Sequence, residues 1–179
     1  MTPTTQNRQR KWFPSCALTS PLVALAAFCL LSGCDSDALT GHDELSFERR
    51  LYLGEELRID GYYTDDYSVY FFYRSGVVRY VGTFENLDSL TSNDFLDGTA
   101  RHQWGLFHVN GDGIAFERWY PPSGTHTKAF IRSGRILNDT TFVITESRRS
   151  NGEDVRSENE MYHFRLFSPK PDSTSGYLD

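Results

Sequence analysis

Cysteine, paired histidines and catalytic motifs are all scarce in this chain. Only 3 of its 179 residues are cysteine: Cys16, Cys29 and Cys34. A cut before Cys34 would leave a single thiol, which can form neither an internal disulfide nor a thiolate metal cluster. The histidines at 42, 102, 108, 126 and 163 form no His-x-His or His-x-x-x-His pair, so no metal and no other cofactor is expected. There is no Gly-x-Ser-x-Gly elbow to present a nucleophile, and neither Gly-x-Gly-x-x-Gly nor Gly-Lys-Ser/Thr occurs to cradle a phosphate. Ser75 and Ser123 sit beside glycines where turn formation accounts for them. With no convergent acid, base and nucleophile, no catalytic residue is assigned and an enzyme is not expected.

Acidic residues are missing from the first 33 positions, whereas Arg8, Arg10 and Lys11 are present there. Without that segment the chain keeps 15 basic and 24 acidic side chains, a net charge of −9 against −6 for the whole. A domain this acidic repels phosphate backbones, which argues against nucleic acid as a partner. About 146 residues remain, enough to bury a core without covalent staples.

The N-terminal order is basic, then apolar, then small. Arg10-Lys11 precede the run from Leu22 to Leu31, and Ser32-Gly33-Cys34 follow. This is the pattern of a signal peptide with its cleavage site. Ten apolar residues rise about 15 Å as a helix, half of a roughly 30 Å hydrocarbon layer, so an uncleaved span is the poorer reading. The sequence Leu31-Ser32-Gly33-Cys34 resembles the lipobox of bacterial lipoproteins. That resemblance implies cleavage between Gly33 and Cys34, diacylglycerol on the Cys34 thiol, and acylation (palmitate, for example) of the new amino group. The expected location is then the cell membrane or outer membrane, lipid-anchored, with the folded part on the extracytoplasmic side. Asp35 resembles an inner-membrane retention signal of enteric bacteria, and equally the acidic surface-export signal of Bacteroidetes-like lipoproteins; both remain open.

Four regions are expected: a signal peptide at 1–33, a flexible tether at 34–44, a β-rich domain at 45–168, and a C-terminal tail at 169–179 that frays. Within the domain, β-branched and aromatic residues recur in short runs at 57–63, 69–73, 77–81, 103–109, 114–120, 128–132, 141–145 and 161–167. Arg74-Ser75-Gly76, Asn110-Gly111-Asp112-Gly113 and Asn151-Gly152 provide turn chemistry between them. The fold class is therefore all-β, a meander of about eight antiparallel strands. An up-and-down barrel hides the sheet edges, and a two-sheet β-sandwich is the alternative. The interruption at 85–102 is the candidate lid.

The run Trp104-Gly105-x-Phe107, the following hairpin and Ile114-x-Phe116-Glu117-x-Trp119 resemble small lipocalin-like lipoproteins of Bacteroidetes. So does Gly61-Tyr62-Tyr63 with Phe72-Tyr73-Arg74-Ser75-Gly76-Val77-Val78. The resemblance implies the fold and carries no catalytic residue. Ile114, Phe116, Arg118 and Tyr120 share one strand face. If that face is inward, Arg118 meets an anionic headgroup beside Phe116 and Tyr120, with Trp104 also lining the cavity. Otherwise Arg118 pairs with a neighbouring carboxylate or lies outside. Two functions follow as expectations. One is a membrane-anchored protein that binds a small hydrophobic ligand. The other is a structural or interaction lipoprotein with a filled core that docks an envelope protein partner.

Overall fold

A computed structural model describes residues 42–91, 95, 98–121 and 126–178. The expected signal-peptide helix, the expected Gly33–Cys34 cleavage site and most of the expected tether lie outside these residues. Eight strands occupy Gly61–Thr64 (β1), Ser68–Phe72 (β2), Val77–Thr83 (β3), Trp104–Asn110 (β4), Gly113–Trp119 (β5), Ala129–Asn138 (β6), Thr141–Arg149 (β7) and Arg156–Leu166 (β8). Each pairs antiparallel with the next, and β8 returns to β1 through Gly61↔Leu166 and Thr64↔His163, which closes the barrel. Closure leaves one sheet curled on itself in place of the two facing sheets of a sandwich.

The turns fold as their residues dictate. Asn110 and Gly113 face each other across the β4–β5 hairpin, with Gly111 at φ 59. Gly76, at φ 79, ends the β2–β3 turn, and a Cβ there would lie 1.9 Å from the Arg50 carbonyl oxygen. Only a glycine fits that approach. The run 57–63 was expected to be wholly strand, yet pairing begins at Gly61. Leu57 instead folds under the barrel with Tyr52, whose hydroxyl accepts from the Leu57 backbone N–H at 2.7 Å. Residues 52–59 thus plug one end of the barrel, which we call the base.

Inward positions below the middle of the barrel are filled with rings. Phe72 packs edge-on against Tyr63, Phe107, Phe116 and Phe142, with centroids 5.0–5.9 Å apart. Ile114, Ile144 and Tyr162 complete this interior, all buried. Among the described residues, these rings occupy the lower interior where a long acyl chain would lie.

A second core lies outside the barrel wall. Tyr62, Phe71, Trp104, Leu106 and Trp119 point outward and are covered. The 84–103 connection contributes Phe84, Leu87, Leu90 and Phe95 to that cover. The described residues of this segment therefore form a side wall and not the lid expected for 85–102, because Phe84, Leu87, Leu90 and Phe95 pack on the outer face. The C-terminal residues do not fray either. Leu178 is buried in the same layer, and Tyr177 donates its hydroxyl to the Thr99 carbonyl at 2.6 Å. Lys170 donates to the carbonyls of Ile59 (2.5 Å) and Phe72 (2.7 Å).

The N-terminal part of the domain forms a strap. Asp43, expected in the flexible tether, is fixed at the end opposite the base. Its N–H donates to Thr127 O at 2.9 Å, its carboxylate accepts from Ala129 N at 3.1 Å and pairs with Arg149 at 2.9 Å, and its carbonyl accepts from Trp119 Nε1 at 2.6 Å. Ser46 and Phe47 then cross the outward face of Glu117, and the Phe47 ring stacks on His108 with centroids 4.6 Å apart. Tyr52 reaches the β2–β3 turn through its N–H to Arg74 O.

Candidate functional site

Strands β1, β3, β5 and β7 end, and β2, β4, β6 and β8 begin, at the barrel end opposite the plug. That mouth holds a cup of about 380 Å³ lined by residues that include Ser68, Tyr70, Tyr80, Arg118, Tyr120 and Arg132. The volume lies at the small end of ordinary ligand sites, which span about 300–1,000 Å³. Strand alternation accounts for the lining. Ile114 and Phe116 fill the interior, so Arg118 two positions on faces the same way. In the neighbouring strand Arg118 opposes Phe130 and Phe116 opposes Arg132, which brings the second arginine inward.

The two arginines differ. Arg132 has a counter-charge: its guanidinium forms a short ion pair with Glu160 and donates to the Tyr162 hydroxyl at 3.0 Å. Tyr162 also donates to Glu160 at 2.7 Å. Burial alone would raise the Glu160 carboxyl, but donation from Arg132 and Tyr162 outweighs it and holds that carboxyl below its usual range. Arg118 is 4% exposed and, among the described residues, makes no ion pair. Its Nη1 donates to the carbonyls of His102 (3.1 Å) and Trp119 (3.0 Å), and its Nε is buried with no acceptor among the described residues. The guanidinium carbon lies 3.8 Å from the ring centre of Tyr120 and 4.1 Å from that of Tyr80. Burial pushes both phenols above their ordinary range, so at neutral pH they are uncharged rings that stabilise the cation without neutralising it. Arginine does not shed its proton to escape burial, so its charge persists.

Phe116 is buried in the filled interior, and of the four residues expected in a cavity Arg118 and Tyr120 line the cup. Trp104 does not. It faces outward, donates Nε1 to Gly98 O at 2.7 Å, and lies beneath Arg79, 5.0 Å from its ring centre. Tyr70, Tyr80, Arg132, Ser147 and Glu160 are cup residues that the sequence reading did not select. The pairing of Phe130 with Arg132 at alternate positions was available as a signal. Glu117 faces away from the cup, is fully buried, and holds the strap. Cys34 lies outside the described residues. Among those residues no group of three or more His, Cys, Asp or Glu is arranged to hold a metal ion, and no helix is long and apolar enough to cross a membrane.

The tail's buried lysine gives this barrel a testable pH response. Burial pushes the Lys170 ammonium down to about 8 from 10.5, with Asp60 opposing. Between those values the folded state loses the proton first, the unfolded chain holds more protons, and stability rises with pH. Above about 10 the sign reverses. Burial holds the phenols of Tyr63, Tyr73 and Tyr162 above their ordinary value, so they ionise first in the unfolded chain. Melting temperature should thus climb from pH 7.5, peak near the tyrosine range, and fall beyond it. A steady fall from pH 7.5 onward in a thermal melt series would contradict this account of Lys170.

No protein-family model, curated protein or solved structure matches this chain.

Proposed function

We propose that this chain is a lipid-anchored envelope protein that binds a small organic anion in the mouth of its barrel. The observation that carries the reading is Arg118, a buried guanidinium that makes no ion pair among the described residues, at the wall of a cup whose carboxylates are Asp65, Glu158 and Glu160. Leaving such a cation unpaired is costly, and an anion that enters with good geometry offsets that cost. The flat faces of Tyr80, Tyr120 and Phe130 around it favour a carboxylate on a planar or short apolar body. The filled lower barrel makes long-chain lipids poor candidates, which narrows the small hydrophobic ligand expected from the sequence. The anchoring half of the proposal rests on the signal pattern that ends at Cys34.

Calorimetric titration of the detergent-purified chain with benzoate tests the binding half. Arg118→Met should weaken benzoate at least tenfold while the far-ultraviolet spectrum stays that of a β protein. A wild-type chain that binds neither benzoate nor acetate at millimolar concentration overturns this reading. The packed interior would then favour the alternative of an interaction lipoprotein, which pull-down from solubilised membranes would detect as a retained envelope protein.

A further inference from the structure

The strap fixes where the chain arrives at the barrel. Asp43 is held by Trp119 at the end of β5, Ala129 at the start of β6 and Arg149 at the end of β7. All three lie at the mouth. From there the strap runs down the wall: Ser46 and Phe47 on Glu117, the Glu48 carbonyl on His108, Arg49 on Ser75 O, and Tyr52 at the base. The chain therefore reaches the domain beside the cup and ends its strap at the plug.

Cys34 and Asp43 are nine Cα-to-Cα steps apart in the chain, which span about 30 Å at full extension. The 10 residues of β6 run from mouth to base. At about 3.3 Å per residue and a tilt near 40°, they stand roughly 25 Å along the barrel axis. A lipid on Cys34 thus stays within reach of the mouth at every length those steps can take. It can lie beneath the base only if the tether runs the height of the wall almost fully stretched, which forfeits nearly all its conformational freedom.

We infer that the barrel hangs mouth-inward, with the Arg118 cup opening onto the lipid surface that carries the anchor. This rests on the anchoring half of the proposed function and is independent of whether benzoate binds. A cup so placed exchanges ligand with the leaflet before the bulk solvent, so its anion is one that partitions into a membrane surface. The opposite pose has its own physical argument. Leu51, Leu53, Leu137 and Leu166 are 53–81% exposed on the strap's lower half and at strand ends near the base, and insertion of those leucines would turn the base inward.

Energy transfer separates the two poses. The lipidated full-length product is purified from membranes, and Cys34 is then blocked as a thioether. A single cysteine is introduced for a fluorophore at Val155→Cys, in the mouth-side β7–β8 turn, or at Leu137→Cys, at the base end of strand β6. Val155 and Leu137 are 61% and 53% exposed, so neither change disturbs the core. Each labelled protein is added to phosphatidylethanolamine–phosphatidylglycerol vesicles that carry acceptor on their headgroups. Transfer from position 155 should exceed transfer from 137 at least threefold. Equal or reversed transfer from a chain whose mass shows lipid on Cys34 overturns the orientation alone. A chain whose mass shows no lipid overturns the orientation and the anchor together. Tyr67→Cys, 66% exposed in the β1–β2 turn, gives a second mouth position should the Val155 variant fold poorly.

Discussion

Cys34→Ser should move the protein from the membrane fraction to the soluble extracytoplasmic fraction, or leave it unprocessed, with no lipid label incorporated. The effect is expected to be nearly complete because little else would hold the chain to a bilayer. Each acyl methylene buried contributes about 0.8 kcal/mol, and two or three chains anchor stably where a single one dissociates. Among the described residues no helix is long and apolar enough to cross a membrane. The part beyond residue 33 carries a net charge of −9, so anionic headgroups repel it. The measurement is fractionation with metabolic palmitate labelling of wild type and variant side by side. A wild-type chain that takes up no palmitate label and keeps residues 1–33 would show that the apolar run from Leu22 to Leu31 stays as the anchor, and the lipobox reading would be lost.

The barrel was legible from its turns more than from its strands. Asn110-Gly111-Asp112-Gly113 and Arg74-Ser75-Gly76 each carry residues whose chemistry suits one tight connection, and both hairpins form where they stand. Two strand boundaries were hidden for opposite reasons. Leu57 and Ile59 alternate like strand residues, but their apolar side chains serve a plug, and the hydrophobic pattern does not distinguish the two. At the other extreme, β8 begins at Arg156 and the pattern begins only near Met161. The missed residues, Arg156 to Glu160, are charged or polar, and three of them line the cup. A barrel normally announces its inner face by apolar alternation, so a polar site erases the signal at the strand that builds it.

Trp104 was misassigned because the outer wall is also covered. Gly105 and Phe107 share one face of β4, Trp104 and Leu106 the other, and both faces are buried. When both sides of a strand are apolar, periodicity gives no direction. The tail shows a related limit. Pro169-Lys170-Pro171 looks like a frayed end, yet Lys170 finds the Ile59 and Phe72 carbonyls 111 and 98 residues earlier in the chain. Partners that distant leave no mark in local composition. Arg118 was found because three apolar or aromatic neighbours share its face.

The strap gives the second large prediction. Glu117 is 0% exposed, and its carboxylate accepts from Ser46 N at 2.9 Å, Ser46 Oγ at 3.1 Å and Phe47 N at 2.7 Å. Among the described residues it has no cationic partner in an ion pair, so the strap's donors are what compensate its burial. Glu117→Leu removes the acceptor and leaves two backbone N–H groups facing an apolar side chain. Hydrogen bonds to a charged group contribute about 1.5–3 kcal/mol each, and a buried orphaned donor costs about 1–3 kcal/mol. The strap has a cheaper route than unfolding, because it can lift off the wall and rehydrate those groups. The expected loss is therefore local, about 2–3 kcal/mol of opening free energy, or roughly 30- to 160-fold faster amide exchange. Hydrogen exchange read by mass spectrometry should show it in residues 42–50, with the amides of β5 through β8 nearly unchanged. Asp43 and Tyr52 would still hold the two ends of the strap, so exchange should be fastest between them. Uniform exchange across the barrel would mean that Glu117 supports the closed sheet itself. Unchanged exchange in 42–50 would mean that the clamps at Asp43 and His108 hold the strap without it.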